Sequence, residues 1–367
     1  MSQLFQPITL GPIALKHRVV LAPLTRQKVD SNHVPILPLV KEYYTQRGST
    51  PGTLLITEST IIAAKAGGYP MPGIWSQDHI NAWKEVAESV HAKGSFIFLQ
   101  LCAIGRGALL PVLKAQDPTL DLVSASDIPI VADAEEKPRP LTVAEIQEYV
   151  GLYAQAAKNA MEAGFDGVEI HDANGCLLDQ FLQDVSNNRT DAYGGSVENR
   201  ARFPLEVVKA VTDAVGQDRT GIRLSPWSPF VGMGMADPVP TFTHLVSEIA
   251  RLYPELAYLS LIEPRISADA TVEASPENAG QSNDFLRKVW GDRPLISAGG
   301  YTRETAIQLA AHNKNYLIAF GRTFIANPDL PVRLEKGLPL HPYDRSTFYL
   351  PGDEPNGYTD QPFATVA

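Results

Sequence analysis

The sequence predicts an α/β fold, a TIM (β/α)8 barrel with an N-terminal capping hairpin and loop insertions, and three observations point to it. Eight apolar, β-branched runs of strand length recur along the 367 residues, at 18–24, 53–59, 95–101, 165–173, 220–226, 256–264, 293–301 and 316–324. They are continuous rather than alternating, as expected for strands covered on both faces in a parallel sheet. Helical patterns lie between them, and no composition shift or flexible linker divides the chain, so residues 1–367 read as a single domain.

Each element has its own signal. Segment 7–17 places Gly11-Pro12 between two short apolar stretches, which predicts a hairpin capping the barrel bottom. Ser76 precedes the Trp83, Val86, Val90 stripe, and Thr302 precedes Ile307, Leu309 and Ala310. Thr142 and Glu145 make a capping box ahead of Ile146, Tyr149, Val150, Tyr153 and Ala157. These stripes are core contacts. Gly94, Gly164, Gly216 and Gly291 fall where helices should stop. Two irregular regions, 102–140 and the Pro/Gly-rich tail from Pro342, read as elaborations of the barrel.

Composition excludes several functions. With 44% apolar and 20% charged residues the chain can bury a large core. Thirty-one basic against 41 acidic residues leave a net charge of −10, which repels a polyanion and argues against nucleic acid. No run of about 18 apolar residues exists, and the opening segment lacks a signal-peptide pattern, so the expectation is a cytoplasmic protein that does not meet a membrane. Asn188-Arg-Thr190 carries no weight as a glycosylation sequon without a secretory signal. Cys102 and Cys176 are too few for a disulfide framework, and no Cys/His spacing typical of zinc is present. The HExxH, GxSxG, GxxxxGK[ST] and GxGxxG motifs are absent.

In such a barrel the reacting groups come from the C-terminal ends of the strands. Those ends offer Thr25 and Arg26; Glu58 and Ser59; Gln100 and Cys102; His171, Asn174 and Cys176; Arg223; Glu263 and Arg265; Gly299 and Gly300; Gly321 and Arg322. The glycine pairs with Arg322 belong to strands seven and eight, where barrels often hold a phosphate on backbone N–H groups. A phosphorylated ligand follows, and no carboxylate/histidine cluster suits a metal. Plainer readings stand beside these. Arg223 would also serve as half of a core ion pair with Glu58 or Glu169, the glycines as turn residues, and both cysteines as small buried hydrophobes.

The stretch 168–175, Val-Glu-Ile-His-Asp-Ala-Asn-Gly, with 177–181 (LLDQF) and 187–203 (NNRTDAYGGSVENRARF), closely resembles the signature of the Old Yellow Enzyme family. So do Ala22-Pro-Leu-Thr-Arg26, Ala66-Gly-Gly-Tyr69, 72–76 (PGIWS), 221–226 (GIRLSP) and Phe320-Gly-Arg322. The resemblance spans nearly the whole chain in the same order. It implies an FMN-binding barrel that takes hydride from NADPH or NADH and gives it to the β-carbon of an α,β-unsaturated carbonyl compound, a small-molecule partner, as a monomer or homodimer. On this chain, Pro23, Leu24 and Thr25 would line the isoalloxazine, while Ser59, Gln100 and Arg223 would hold its pyrimidine end. Gly299, Gly300, Gly321 and Arg322 would cradle the phosphate, although the family often has Asn where Gly300 stands. His171 and Asn174 would donate hydrogen bonds to the substrate carbonyl, and Tyr69 and Tyr349 would bring aromatic rings near the substrate.

Two departures matter. Cys176 stands where the family usually places a proton-donating tyrosine, and Cys102 where many relatives have a tryptophan. Both imply a roomier pocket and altered protonation. Asp172, where small residues are common, is a third departure without a reading. Net alkene reduction, with solvent or Tyr69 or Tyr349 completing protonation, is the preferred expectation. The alternatives are an isomerase that adds and returns hydride, and a flavin-binding protein without turnover. A barrel aldolase lacks its Schiff-base lysine or metal at a strand end.

Overall fold

A computed structural model describes residues 2–131, 134–268, 270–273, 275 and 278–365. Eight parallel strands close into a ring: β1 (Val19–Leu21), β2 (Leu54–Ile56), β3 (Phe96–Cys102), β4 (Gly167–Asp172), β5 (Thr220–Leu224), β6 (Tyr258–Ile262), β7 (Leu295–Ala298) and β8 (Tyr316–Phe320). Each pairs with its sequence neighbours, and β8 returns to β1 through Ile318 opposite Val19. The outer ring is α1 (Leu39–Arg47), α2 (Gln77–His91), α3 (Val143–Glu162), α4 (Val197–Val215), α5 (Val239–Leu252), α6 (Asp284–Trp290), α7 (Arg303–His312) and α8 (Leu330–Lys336). This is the (β/α)8 barrel expected from the eight apolar runs.

The capping signals operate as read. Ser76, Thr142 and Thr302 each accept from the backbone N–H three residues on, and each helix returns a side chain to the cap. Gly216 and Gly291 end α4 and α6 at φ +96° and +68°, backbone that costs a Cβ-bearing residue strain. The strands are shorter than the apolar runs, because side chains beyond each strand's end turn inward to line a cavity rather than continue the ladder. The eighth run was the least accurate. Residues 322–326 leave the sheet as the short helix Arg322–Ala326 behind Gly321, since a brief apolar run does not distinguish helix from strand.

Inside the ring, Val20, Ile56, Phe98, Tyr258, Ile296, Ala298, Leu317 and Ala319 fill the lower layers. Gly167 and Gly221 leave the volume that the Phe98 and Tyr258 rings occupy; a Cβ at either would lie about 2.5 Å from the ring. The N-terminal hairpin, Ile8–Leu10 paired with Ile13–Leu15, adds Leu10, Ile13 and Leu15 to this cluster from below. Its turn glycine, Gly11 at φ +52°, sits against the backbone of Asp218 just before β5. Region 102–140 folds as a helix (Leu110–Gln116) and a two-stranded pairing, Val123–Ser124 with Arg139–Pro140. The tail is tied to the top of β1 by buried cations: Arg26 donates to the carbonyls of Phe348 and Gly357, and Lys28 to that of Glu354. Among the described residues no helix is long and apolar enough to cross a membrane.

Candidate active site

A cavity of about 710 Å³ opens at the C-terminal ends of the strands. Every residue assigned a role at the site by the resemblance lines it: Pro23, Leu24, Thr25, Ser59, Tyr69, Gln100, Cys102, His171, Asn174, Cys176, Arg223, Gly299, Gly300, Gly321, Arg322 and Tyr349; Arg26, Glu58 and Glu263, also offered by the strand ends, do not. The volume suits a cofactor together with a small substrate.

One wall is a row of buried polar side chains from neighbouring strands. Ser59 Oγ donates to Gln100 Oε1 at 2.6 Å, and Gln100 Nε2 donates to Glu169 Oε1 at 2.6 Å, which sets the orientation of the amide. Gln100 and Glu169 face each other in register across β3 and β4, and Arg223 lies one strand further. Burial lowers the Arg223 pKa and Glu169 opposes that shift; the Glu169 carboxyl is itself pushed up by burial, with Arg223 opposing. Of the two carboxylates that the sequence offered as partners, Glu169 is the one beside Arg223. Glu58 instead accepts from the Arg26 backbone N–H at 3.0 Å and pins the strand-end loop carrying Thr25. The Nε–H of Arg223 has no protein partner, so a buried guanidinium is left facing a cavity. A ligand rich in carbonyl or anionic acceptors satisfies it.

At the other end Gly299, Gly300 and Gly321 leave backbone exposed. A Cβ on Gly299 would lie 2.5 Å from Glu263 Cβ, and Gly300 holds φ +64°. Arg322 donates to Thr271 Oγ1 at 3.0 Å and lies over the Tyr343 ring. Arg265 donates to the Gly299 carbonyl and lies 4.6 Å over Tyr301. Two guanidiniums and bare backbone make a phosphate cradle; a ligand with a phosphate at one end and a hydrogen-bonding ring at the other, as in FMN, fits both ends of the cavity.

The third region carries His171, Asn174 and the two cysteines. Asn174 holds φ +54°, a left-handed conformation that Asn tolerates, and its backbone N–H donates to Ser225 Oγ at 2.8 Å. His171 Nδ1 and Asn174 Oδ1 are buried without protein partners. The Cys102 and Cys176 sulfurs are 3.4 Å apart. Contact with Cys102 and burial push the Cys176 thiol up, while His171 opposes, so the thiol keeps its proton at neutral pH. Tyr69 and Tyr349 stand at the mouth, Tyr349 nearly half exposed.

Much of the long motif that carries the resemblance lies outside the cavity and holds it in place. Gln180 donates to the Ile104 and Gly175 carbonyls and accepts from the Arg106 N–H and Ser124 Oγ, tying the Cys102 loop to the Cys176 loop. Asp179 accepts from the Gly175 N–H at 2.9 Å and from Gln183 Nε2 at 2.7 Å. Arg189 and Asn187 bind backbone carbonyls of the insertion and of the motif itself. Sequence reading gave Gln180, Asp179 and Arg265 no role; only their partners show one. Asp172 points away from the cavity, fully buried, neither oxygen has a protein partner, and burial pushes its carboxyl well up.

The sequence matches the model of the NADH:flavin oxidoreductase / NADH oxidase family over residues 3–341. It is 52% identical to chanoclavine-I aldehyde reductase fgaOx3 of Penicillium roqueforti over 99% of this chain and 97% of that one. It is 49% identical to a probable inactive reductase easA of Epichloe festucae var. lolii over 99% and 96%. The fold superimposes on an Old Yellow Enzyme from Pichia sp. AKU4542 with a TM-score of 0.90 and 38% identity, covering 100% of this chain and 95% of that one. With the strand ends arranged as described, the chain belongs to the NADH:flavin oxidoreductase / NADH oxidase family and is an Old Yellow Enzyme-like flavin oxidoreductase.

Proposed function

We propose that this enzyme reduces the C=C bond of α,β-unsaturated carbonyl compounds at the expense of NADPH or NADH. Bound FMN supplies the chemistry of accepting hydride from a nicotinamide and passing it to an activated alkene. The observation that carries the reading is the placement of His171 and Asn174 together on the wall of a cavity whose opposite end suits a phosphate, with His171 Nδ1 buried and unpaired and the Asn174 amide offering its Nδ2–H as the second donor. Negative charge gathers on the carbonyl oxygen as the β-carbon becomes reduced, and two fixed donors there stabilise that charge as an oxyanion hole does. Ser59, Gln100 and Arg223 bind and orient the ring end of the cofactor, and Gly299, Gly300, Gly321 and Arg322 its phosphate. Pro23, Leu24 and Thr25 supply a wall for the ring. The reductase name of the 52% identical relative supports an unsaturated aldehyde as substrate class.

Protonation of the α-carbon is the step this chain has altered. Cys176 holds its proton, yet its thiol is shorter than a phenol, so solvent entering between Tyr69 and Tyr349 shares the task. The same feature favours a second reading, in which slow protonation lets the hydride return after rotation and the enzyme isomerises its substrate. The test is anaerobic: reduce the flavin with NADPH, add a simple cyclic enone and, separately, an acyclic enal, follow the flavin absorbance, and determine the mass and alkene geometry of the product. Reoxidation with a product two hydrogens heavier supports reduction. A flavin that stays reduced together with a product of unchanged mass and altered geometry supports isomerisation, and a reduced flavin that leaves both enone and enal unchanged overturns both.

A further inference from the structure

We propose that Cys102, His171 and Cys176 form a binding site for a thiophilic cation of the zinc class. Two sulfurs and one imidazole nitrogen lie within 4.8 Å of one another, on buried or half-buried side chains. In a tetrahedral zinc site with Zn–S of about 2.3 Å and Zn–N of about 2.1 Å, neighbouring donors stand roughly 3.5–3.8 Å apart. The sulfurs, at 3.4 Å, need to part only slightly, and the imidazole needs to approach by about 1 Å at most. Rotations of the side chains achieve this while the backbone stays fixed.

The backbone is already held. Cys102 ends β3, His171 lies in β4, and Cys176 precedes the short helix Leu177–Leu182; Gln180 bonds both cysteine loops through Ile104 and Gly175. The trio therefore stands assembled without the ion, so ligand binding does not have to order a loop. Three protein donors with the fourth position open to a cavity is the arrangement of a zinc site that admits an exogenous ligand. Among the described residues no Asp or Glu lines that cavity, and thiolate and imidazole select Zn²⁺, Cd²⁺ or Cu⁺ over the hard, oxygen-seeking Mg²⁺ and Ca²⁺.

Binding is proton-coupled: two S–H bonds break, two metal–sulfur bonds and one metal–nitrogen bond form, and two protons leave to solvent with no change of oxidation state. Because two protons leave per ion, affinity rises steeply with pH, approaching ~100-fold per unit wherever both free thiols are protonated. An ion here also takes the imidazole assigned above to the carbonyl; this consequence alone rests on the proposed function, and it makes Zn²⁺ competitive with the enone.

The test uses the FMN-loaded enzyme, stripped of metal with a chelator, kept reduced with a phosphine and titrated with Zn²⁺ against a chromophoric chelator. The expected result is one ion per chain at submicromolar affinity, with about two protons released per ion. Co²⁺ in its place should show thiolate charge-transfer bands and long-wavelength absorption of a tetrahedral site. Cys102→Ser and Cys176→Ser, checked for retained flavin absorbance, should each weaken binding about 100-fold. Absence of a stoichiometric ion in the unmutated enzyme overturns the proposal, as does unchanged binding in both variants. Neither result touches enone reduction, and failure of enone turnover in the metal-free enzyme overturns the functional reading alone.

Discussion

Asp179→Asn should stabilise this protein at pH 8 and weaken it slightly, by about 1 kcal/mol, near pH 3. The carboxyl is buried and its pKa is pushed up to about 7, first by burial, with the N–H donors of Gln183 and Gly175 opposing. A raised carboxyl in the folded state means that its contribution is fully present below the unfolded value of 3.8 and is lost as pH rises through 7. The loss equals the shift, about three pH units at 1.36 kcal/mol each, or about 4 kcal/mol. Asn matches the protonated acid in size and cannot ionise, so it escapes that loss, less about 1 kcal/mol for the one N–H donor that its Nδ2 cannot accept from. For 367 residues the unfolding entropy is about 0.8 kcal/mol/K, so a net gain of about 3 kcal/mol should raise the melting point by about 4 °C at pH 8. The assay is thermal or urea unfolding across pH 3–8 at saturating FMN, which holds ligand linkage constant. A variant less stable than its parent at pH 8 would refute the reasoning, because the two N–H donors would then outweigh burial.

Further outcomes follow from the same geometry. Arg223→Ala should weaken FMN binding by about 30-fold or more, read by flavin fluorescence on dilution, because it also strands the Glu169 carboxyl. His171→Ala and Asn174→Ala should each lower enone turnover by about 10²–10³ while leaving the rate of flavin reduction by NADPH within a few-fold, as separate half-reactions would show. Cys176→Tyr should alter the rate or the facial selectivity of proton addition, read from deuterium placement in D₂O, and leave hydride transfer intact. Gln180→Leu should cost about 3–5 kcal/mol and broaden the product spectrum, since four hydrogen bonds holding the two cysteine loops disappear.

What was legible in the sequence was whatever depends on chain order. Strand ends could be located because each apolar run stops before a glycine or polar loop, and a barrel brings all such ends to one face. That is why Ser59, Gln100 and Arg223 could be grouped although they lie on three strands. Roles that depend on contacts were not legible. Asp179 and Gln180 look like the polar face of a short helix, and only their partners across 4 to 76 positions show that they hold the site loops. The Cys102–Cys176 contact bridges 74 residues, so no spacing rule for metal ligands could mark it. Arg265 stood among the strand ends without a task until the Gly299 carbonyl and Tyr301 ring appeared beside it. Nothing in the structure explains why a buried Asp occupies position 172 with neither oxygen paired.

The charge arithmetic acquires a different meaning once the cavity is known. A net charge of −10 argues against polyanions, yet FMN and NADPH both carry phosphate. Arg223, Arg265 and Arg322 line the cavity and, among the described residues, no Asp or Glu does, so the balance of the described lining is positive although the net charge of the chain is negative. Surface carboxylates more than about 10 Å away are screened at 0.1 M salt, while a guanidinium within a protein-walled cavity acts through a lower effective dielectric. The cations that line the cavity therefore favour anionic ligands inside it, while the acidic surface disfavours polyanions outside. Nucleic acid presents its phosphates on a rigid, extended surface that cannot enter, whereas a single phosphate on a flexible arm reaches Arg322 and the glycine backbone. Net charge thus bears on polyanions at the surface, and it carried no information against a phosphorylated cofactor.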